Sequence, residues 1–224
     1  MSNNDNLNNE DKVIESRLST FLNNNSKIIG ILAIVIVVVV VAIGIINATM
    51  NKRALANFDA LDSAQTAYST VISNQESETY DTDLVQAVSQ IEELQSISGY
   101  VGNKATYLLA INEYNNENYQ AALDYFLEVK ENAKNTYLGS LSLSNAAVCA
   151  EQLNQETKVI EYCQELIDTY SNDAAETPRA MFTLARIYES QGNLDLAQGQ
   201  FQQLADQFPN SEYGKLATNS LLNY

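Results

Sequence analysis

Residues 28–46 read IIGILAIVIVVVVVAIGII, a run without a charge, amide or hydroxyl. A helix of that length covers roughly 28 Å at about 1.5 Å per residue, the hydrocarbon thickness of a bilayer. Val and Ile form helix poorly in water. In lipid the backbone has to satisfy its own hydrogen bonds, so helix is the local solution. Upstream, Val13, Ile14, Arg17, Leu18, Phe21 and Leu22 fall at i, i+1, i+4, i+5, i+8 and i+9, one apolar stripe on a short amphipathic helix. Residues 1–10 are polar and predict no ordered structure. Downstream, residues 48–224 hold few Gly and almost no Pro, and their apolar residues recur at helical spacing.

The apolar run predicts an uncleaved single-pass anchor. A signal peptide has a short basic leader and an apolar core of roughly 7–15 residues. Here the leader, 1–27, is mostly Asn and acid, and the small pair Ala42 and Gly44 lies inside the run. No Cys follows it that could carry a lipid. Lys12, Arg17 and Lys27 precede the span, and Lys52 and Arg53 follow it. That bias places the N-terminus in the cytoplasm and the larger C-terminal domain outside it.

Within 48–224 one register repeats. A small residue recurs at Ala87, Ala122, Val159 and Ala197, and four residues on stand Ile91, Phe126, Cys163 and Phe201. Small residues let two antiparallel helices approach, and the larger ones fill the space toward the next pair. The clearest unit is LARIYESQGNLDLAQGQF, with Leu184, Ala185, Tyr188, Gly192, Leu194, Ala197 and Phe201, followed by Pro209. This resembles the tetratricopeptide repeat. Gly192 suits the turn, Pro178 the first helical position and Thr177 the N-cap. The first unit is irregular, with a helix over 48–72, continuous with the span in one reading, and a long polar turn over 73–82. The fold class expected is all-α: a single N-terminal transmembrane helix at 28–46, then a tetratricopeptide-repeat helical solenoid over 48–224. The solenoid has about four hairpins and a C-terminal capping helix whose apolar face is Leu216, Leu221 and Leu222.

Composition narrows the chemistry. Histidine is absent from all 224 residues, so Ser-His, Cys-His and His-metal sites are excluded. With 28 acidic against 12 basic residues the formal charge is −16, which disfavours nucleic acid. No Gly-rich phosphate loop is present. Glu92 and Glu93 are adjacent on a helix and point about 100° apart, so they share no site. Cys149 and Cys163 fall on the two helices of one repeat, where a disulfide is conceivable and a buried small apolar role is the simpler reading. The expectation is a non-enzymatic protein with no cofactor and no metal.

The repeat register places Lys104, Tyr107, Ile111 and Tyr114 on a groove formed by the first helices. The same register adds Leu141, Ser144, Val148 and Glu151, then Arg179, Phe182, Arg186 and Glu189. Such a groove suits an amphipathic helix or an extended peptide. Repeat proteins that grip a C-terminal carboxylate use Lys and Asn at positions held here by Tyr107, Ile111, Ser144 and Val148, so that clamp is not expected.

At whole-chain scale, FLNNNSK at 21–27, one span and a repeat domain are similar in order to the ancillary SecYEG translocon subunit family. That resemblance implies an inner-membrane protein, N-terminus inside, whose repeats contact Sec translocon subunits and extracytoplasmic chaperones, without catalysis. The longer repeat periods and FPNSEY at 208–213 look instead like repeats of the Tol-Pal cell-division coordinator and the outer-membrane assembly lipoprotein. An envelope or cell-division scaffold, homo-oligomeric through its repeats, is therefore the alternative.

Overall fold

The computed structural model describes residues 3–222 and 224. Two compact units divide the chain, Met1–Ala56 and Asn57–Tyr224. Among the described residues nine α-helices follow in order: α1 (Asn3–Ser73), α2 (Tyr80–Gln95), α3 (Tyr100–Asn115), α4 (Tyr119–Asn132), α5 (Tyr137–Gln152), α6 (Glu156–Tyr170), α7 (Thr177–Ser190), α8 (Leu194–Gln207) and α9 (Glu212–Leu221). A single 3-10 turn, Ser171–Asp173, stands between α6 and α7, and the described residues contain no strand.

The backbone is helical from Asn3 to Ser73. Helix therefore extends into the polar leader, where composition predicts disorder; adding residues to an existing helix costs far less than nucleating one. Ile14, Leu18, Phe21 and Leu22 of the leader stripe are exposed, and the side chain of Val13 lies outside what is described. Among the described residues one helical segment, Gly30–Ser73, is long and apolar enough to cross a membrane, and none of its apolar window is covered by protein.

In the second unit consecutive helices pair: α3 with α4, α5 with α6, α7 with α8, and α9 on α8. The C-terminal part of α1 supplies Leu61, Ala64 and Tyr68 to a core with Ala87, Ile91 and Leu94 of α2. The register residues sit at the centre of each pair. Ala87, Ala122, Val159 and Ala197 are buried, as are Ile91, Phe126, Cys163 and Phe201. The first turn is shorter than the sequence suggests, because α2 already begins at Tyr80.

Three later turns share one geometry. Glu117, Asn154 and Gly192 have φ of 62°, 57° and 76°, at intervals that match the repeat. The residue after each closes the helix: Asn118 N–H donates to the Glu113 carbonyl at 2.9 Å, Gln155 to Ala150 at 2.9 Å and Asn193 to Tyr188 at 2.9 Å. This is the left-handed C-terminal motif that satisfies otherwise orphaned carbonyls.

A second shared geometry joins one pair to the next. A β-carbon at Gly102 would fall on the Ile97 carbonyl, at Gly139 it would lie 2.8 Å from the Ala133 carbonyl, and at Gly214 it would fall on the Phe208 carbonyl. Glycine lets the loop backbone reach the start of α3, α5 and α9. At the corresponding place in α7 stands Thr177, whose hydroxyl donates to the Ser171 carbonyl. Thr177 is thus the first helical residue and makes no side-chain cap; the N-cap is Glu176.

The capping helix also differs from expectation. Gly214 and Ala217 are its buried residues, while Leu216 and Leu222 are exposed. The contact of Gly214 with the Phe208 carbonyl fixes which face of α9 turns inward, and Tyr213 and Leu221 pack beside it.

Candidate functional site

Two cavities lie along the first helices of the pairs, where the register predicts a groove. Ile111 and Tyr114 of α3, Val148 of α5 and Arg179 of α7 line one cavity of about 270 Å³, together with Asn115, Phe126 and Asn145. Arg179 also borders a second cavity of about 390 Å³ with Phe182, Arg186, Glu151, Thr183 and Tyr213. Seven of the twelve residues that the register places on the groove, Ile111, Tyr114, Val148, Glu151, Arg179, Phe182 and Arg186, therefore line two cavities that share Arg179. Ring contacts order the walls. Tyr114 meets Tyr119 edge-on at 5.3 Å between centroids, and Phe182 lies 5.6 Å from both Phe201 and Tyr213.

Lys104, Tyr107, Leu141, Ser144 and Glu189 do not line these cavities. Tyr107 is buried in the central core, edge-on to Phe126 at 5.6 Å. Its hydroxyl accepts a hydrogen bond from the Asn145 amide at 3.0 Å, tying α3 to α5. Burial raises the Tyr107 phenol above its ordinary value. Lys104 lies half-buried with its ammonium 4.9 Å from the centre of the Tyr107 ring, and desolvation lowers its pKa. Neither residue lines the two cavities. The cause is local: the tyrosine ring turns under the α3–α5 contact and fills space that the alternating register assigns to the groove. Ser144 is likewise buried, and Leu141 packs against the core.

Charges of both signs gather at one end of the groove, where Arg179, Arg186, Glu151 and Glu156 line one cavity. The ion pairs among the described residues are Lys130 with Glu131 and Glu165, and Lys158 with Glu161. Arg179 and Arg186 belong to none of them. Burial raises the Tyr114 phenol, and the nearby Arg179 charge opposes that shift.

Below this surface the two thiols are buried and free. Burial pushes both Cys149 and Cys163 up to about 12. Thiols held neutral are poor nucleophiles, and they act here as small apolar side chains. Among the described residues no group of three or more His, Cys, Asp or Glu is placed to hold a metal ion.

Sequence reasoning missed Asn115, Asn145 and Tyr213. Asn145 follows Ser144 in the register and had no marker of its own. Tyr213 reaches the groove from the capping helix, which the register does not cover.

Residues 179–211, which span α7 and α8, match the family model of the tetratricopeptide repeat. The match contains Arg179, Phe182 and Arg186 of the groove. No curated protein matches the chain. The architecture is thus an all-α helical-repeat solenoid of the tetratricopeptide type, preceded by one apolar N-terminal helix.

Proposed function

We propose that this chain is a membrane-anchored, non-enzymatic module that binds a protein segment in the groove of its repeats. The observation that carries the reading is the convergence of Ile111, Tyr114, Val148, Arg179, Phe182 and Arg186 on two adjoining cavities. Apolar walls beside two guanidinium groups and the Glu151 and Glu156 carboxylates suit a helix or extended peptide that brings apolar side chains flanked by charged or polar groups. The anchor reading is supported by the apolar run in α1, whose side chains from Ile31 to Ile46 are exposed apart from those left undescribed. A continuous apolar surface of that size is disfavoured in water and favoured in lipid.

The finer reading puts the repeats outside the cytoplasm, beside the Sec translocon of an inner membrane, with translocon subunits or extracytoplasmic chaperones as partners. It rests on the bias of basic residues around the span and on the order of leader, span and repeats. Protease access to a C-terminal tag in spheroplasts tests the orientation; cleavage before lysis is expected, and protection until lysis would remove the extracytoplasmic partners. Affinity purification of the full chain tests the groove. Tyr114→Ala with Arg179→Ala is expected to lose translocon subunits that the wild type retains, while Glu128→Ala on α4 keeps them. Equal recovery from all three would reject the groove as the binding surface.

A further inference from the structure

The leader carries an apolar face that its own unit leaves bare. Ile14, Leu18 and Phe21 are exposed at 62%, 57% and 60%. They are spaced by four and three residues, and the alternation runs on through Asn25, Ile28, Leu32, Val35 and Val39 of the same unbroken helix. Such an alternation averages about 3.5 residues per turn and makes the narrow seam of a coiled coil. The opposite face is polar and bonded to its own backbone: the Ser19 and Thr20 hydroxyls donate to the Ser16 carbonyl at 3.0 and 2.8 Å.

Lipid does not reach this face while α1 stays unbroken. The apolar run begins at Ile28. At ~1.5 Å of rise per residue, Phe21 stands about 10 Å and Ile14 about 21 Å further out along the axis. The headgroup layer is only roughly 5–8 Å thick on each side of the hydrocarbon. A tilt of ~20°, ordinary for a span, shortens those heights only slightly. On the anchor reading, on which this inference rests, the repeats emerge on the far side of the membrane and do not cover the face either.

We infer that the face is covered by a second copy of this chain, the two leaders forming a parallel coiled coil over residues 14–27 that continues into the spans. The span gives every copy the same orientation and depth, so neighbouring copies meet in parallel and in register, stripe against stripe. Confinement to one membrane raises their effective concentration. Asn25 falls at a core position of the seam. Its amide donates to the Phe21 carbonyl at 2.9 Å, which leaves Oδ1 to accept from the same residue of the second copy. A core Asn of this kind fixes register and favours two strands. Asp11 holds the preceding core position, so the seam starts at Ile14.

The test is disulfide trapping of the full chain in native membranes, with one cysteine introduced per variant and copper phenanthroline as oxidant. Cys149 and Cys163 are buried, and the chain without an added cysteine sets the background. Leu18→Cys and Asn25→Cys should give about threefold or more the covalent dimer of Ser19→Cys and Asn23→Cys, which lie on the outer face. Ile14→Asp with Phe21→Asp should cut the Asn25→Cys dimer about threefold or more, while the chain still resists extraction by alkaline carbonate. Equal trapping at all four positions, or none above background, would overturn the inference. So would quenching of a fluorophore on Leu18→Cys by brominated lipid, which would make the bilayer surface the cover, or adducts with a different protein in place of the dimer. Extraction of the unaltered chain by carbonate would remove the anchor itself, and this inference with it.

Discussion

Replacing Tyr107 by Ala separates a core role from a groove role. The ring is 9% exposed, packs edge-on against Phe126 at 5.6 Å and accepts the Asn145 amide at 3.0 Å. Truncating a buried aromatic side chain costs about 3–5 kcal/mol, which includes the cavity it leaves. Tyr107→Phe keeps the ring and loses one hydrogen bond, worth about 1 kcal/mol. Tyr114 is only partly buried, and its truncation should cost about 1 kcal/mol of stability, as substitutions outside the core commonly do. For a domain of this size 1 kcal/mol moves the melting midpoint by roughly 2–4 °C. Tyr107→Ala should therefore lower Tm by about 10 °C, against about 3 °C for Tyr107→Phe or Tyr114→Ala. The assay is circular dichroism at 222 nm during heating of the full chain in micelles. A Tyr107→Ala midpoint within 3 °C of that of Tyr114→Ala would show that the ring does not bear on the core, and the placement of Tyr107 would fall.

Three further outcomes follow from single residues. Ser142 is fully buried and its hydroxyl has no hydrogen-bond partner among the described residues, so Ser142→Ala should raise stability by about 1 kcal/mol in urea unfolding; a loss would mean that the hydroxyl is satisfied. Glu117 holds φ at 62°, a conformation that costs a non-glycine residue roughly 1–2 kcal/mol, partly offset by the extra freedom of an unfolded glycine. Glu117→Gly should accordingly stabilise the chain by up to about 1 kcal/mol, and a destabilised variant would contradict the turn geometry. The thiols of Cys149 and Cys163 move from the ordinary 9.0 to about 12 on folding, so the unfolded chain releases their protons first. Their contribution is complete below pH 9 and is lost as pH rises toward 12. Urea midpoints should be level to about pH 8.5 and fall above it, and a level profile to pH 11 would refute the burial.

The parts of the fold legible in the sequence are those where one physical demand selects one residue type. Close helix approach demands a small side chain, and Ala87, Ala122 and Ala197 mark it plainly. The apolar run at 28–46 is legible for the same reason, since nothing polar interrupts it. The turn at Gly192 can be read because glycine suits positive φ, but its counterparts at Glu117 and Asn154 cannot, because hydrogen bonds to the preceding helix impose that conformation on residues that do not advertise it. Gly102, Gly139 and Gly214 looked like scattered glycines; what relates them is a loop carbonyl, visible only once the pairs are stacked. In the groove, Arg179, Phe182 and Arg186 follow the repeat register and line a shared cavity. Tyr107 follows the same register yet turns inward, because Asn145 and Phe126 offer its hydroxyl and ring better partners than water does. Such choices depend on the neighbouring pair of helices, which a position in a single repeat does not specify.

What touches the groove in the membrane decides whether the repeats bind a protein segment. A photo-activated cross-linking residue placed at Tyr114 or Val148 of the full chain, in native membranes, should yield discrete partner adducts. The same residue at Glu128 on α4 should yield none. Adducts from Glu128 alone, or equal adducts from all three positions, would contradict a groove that binds a protein segment.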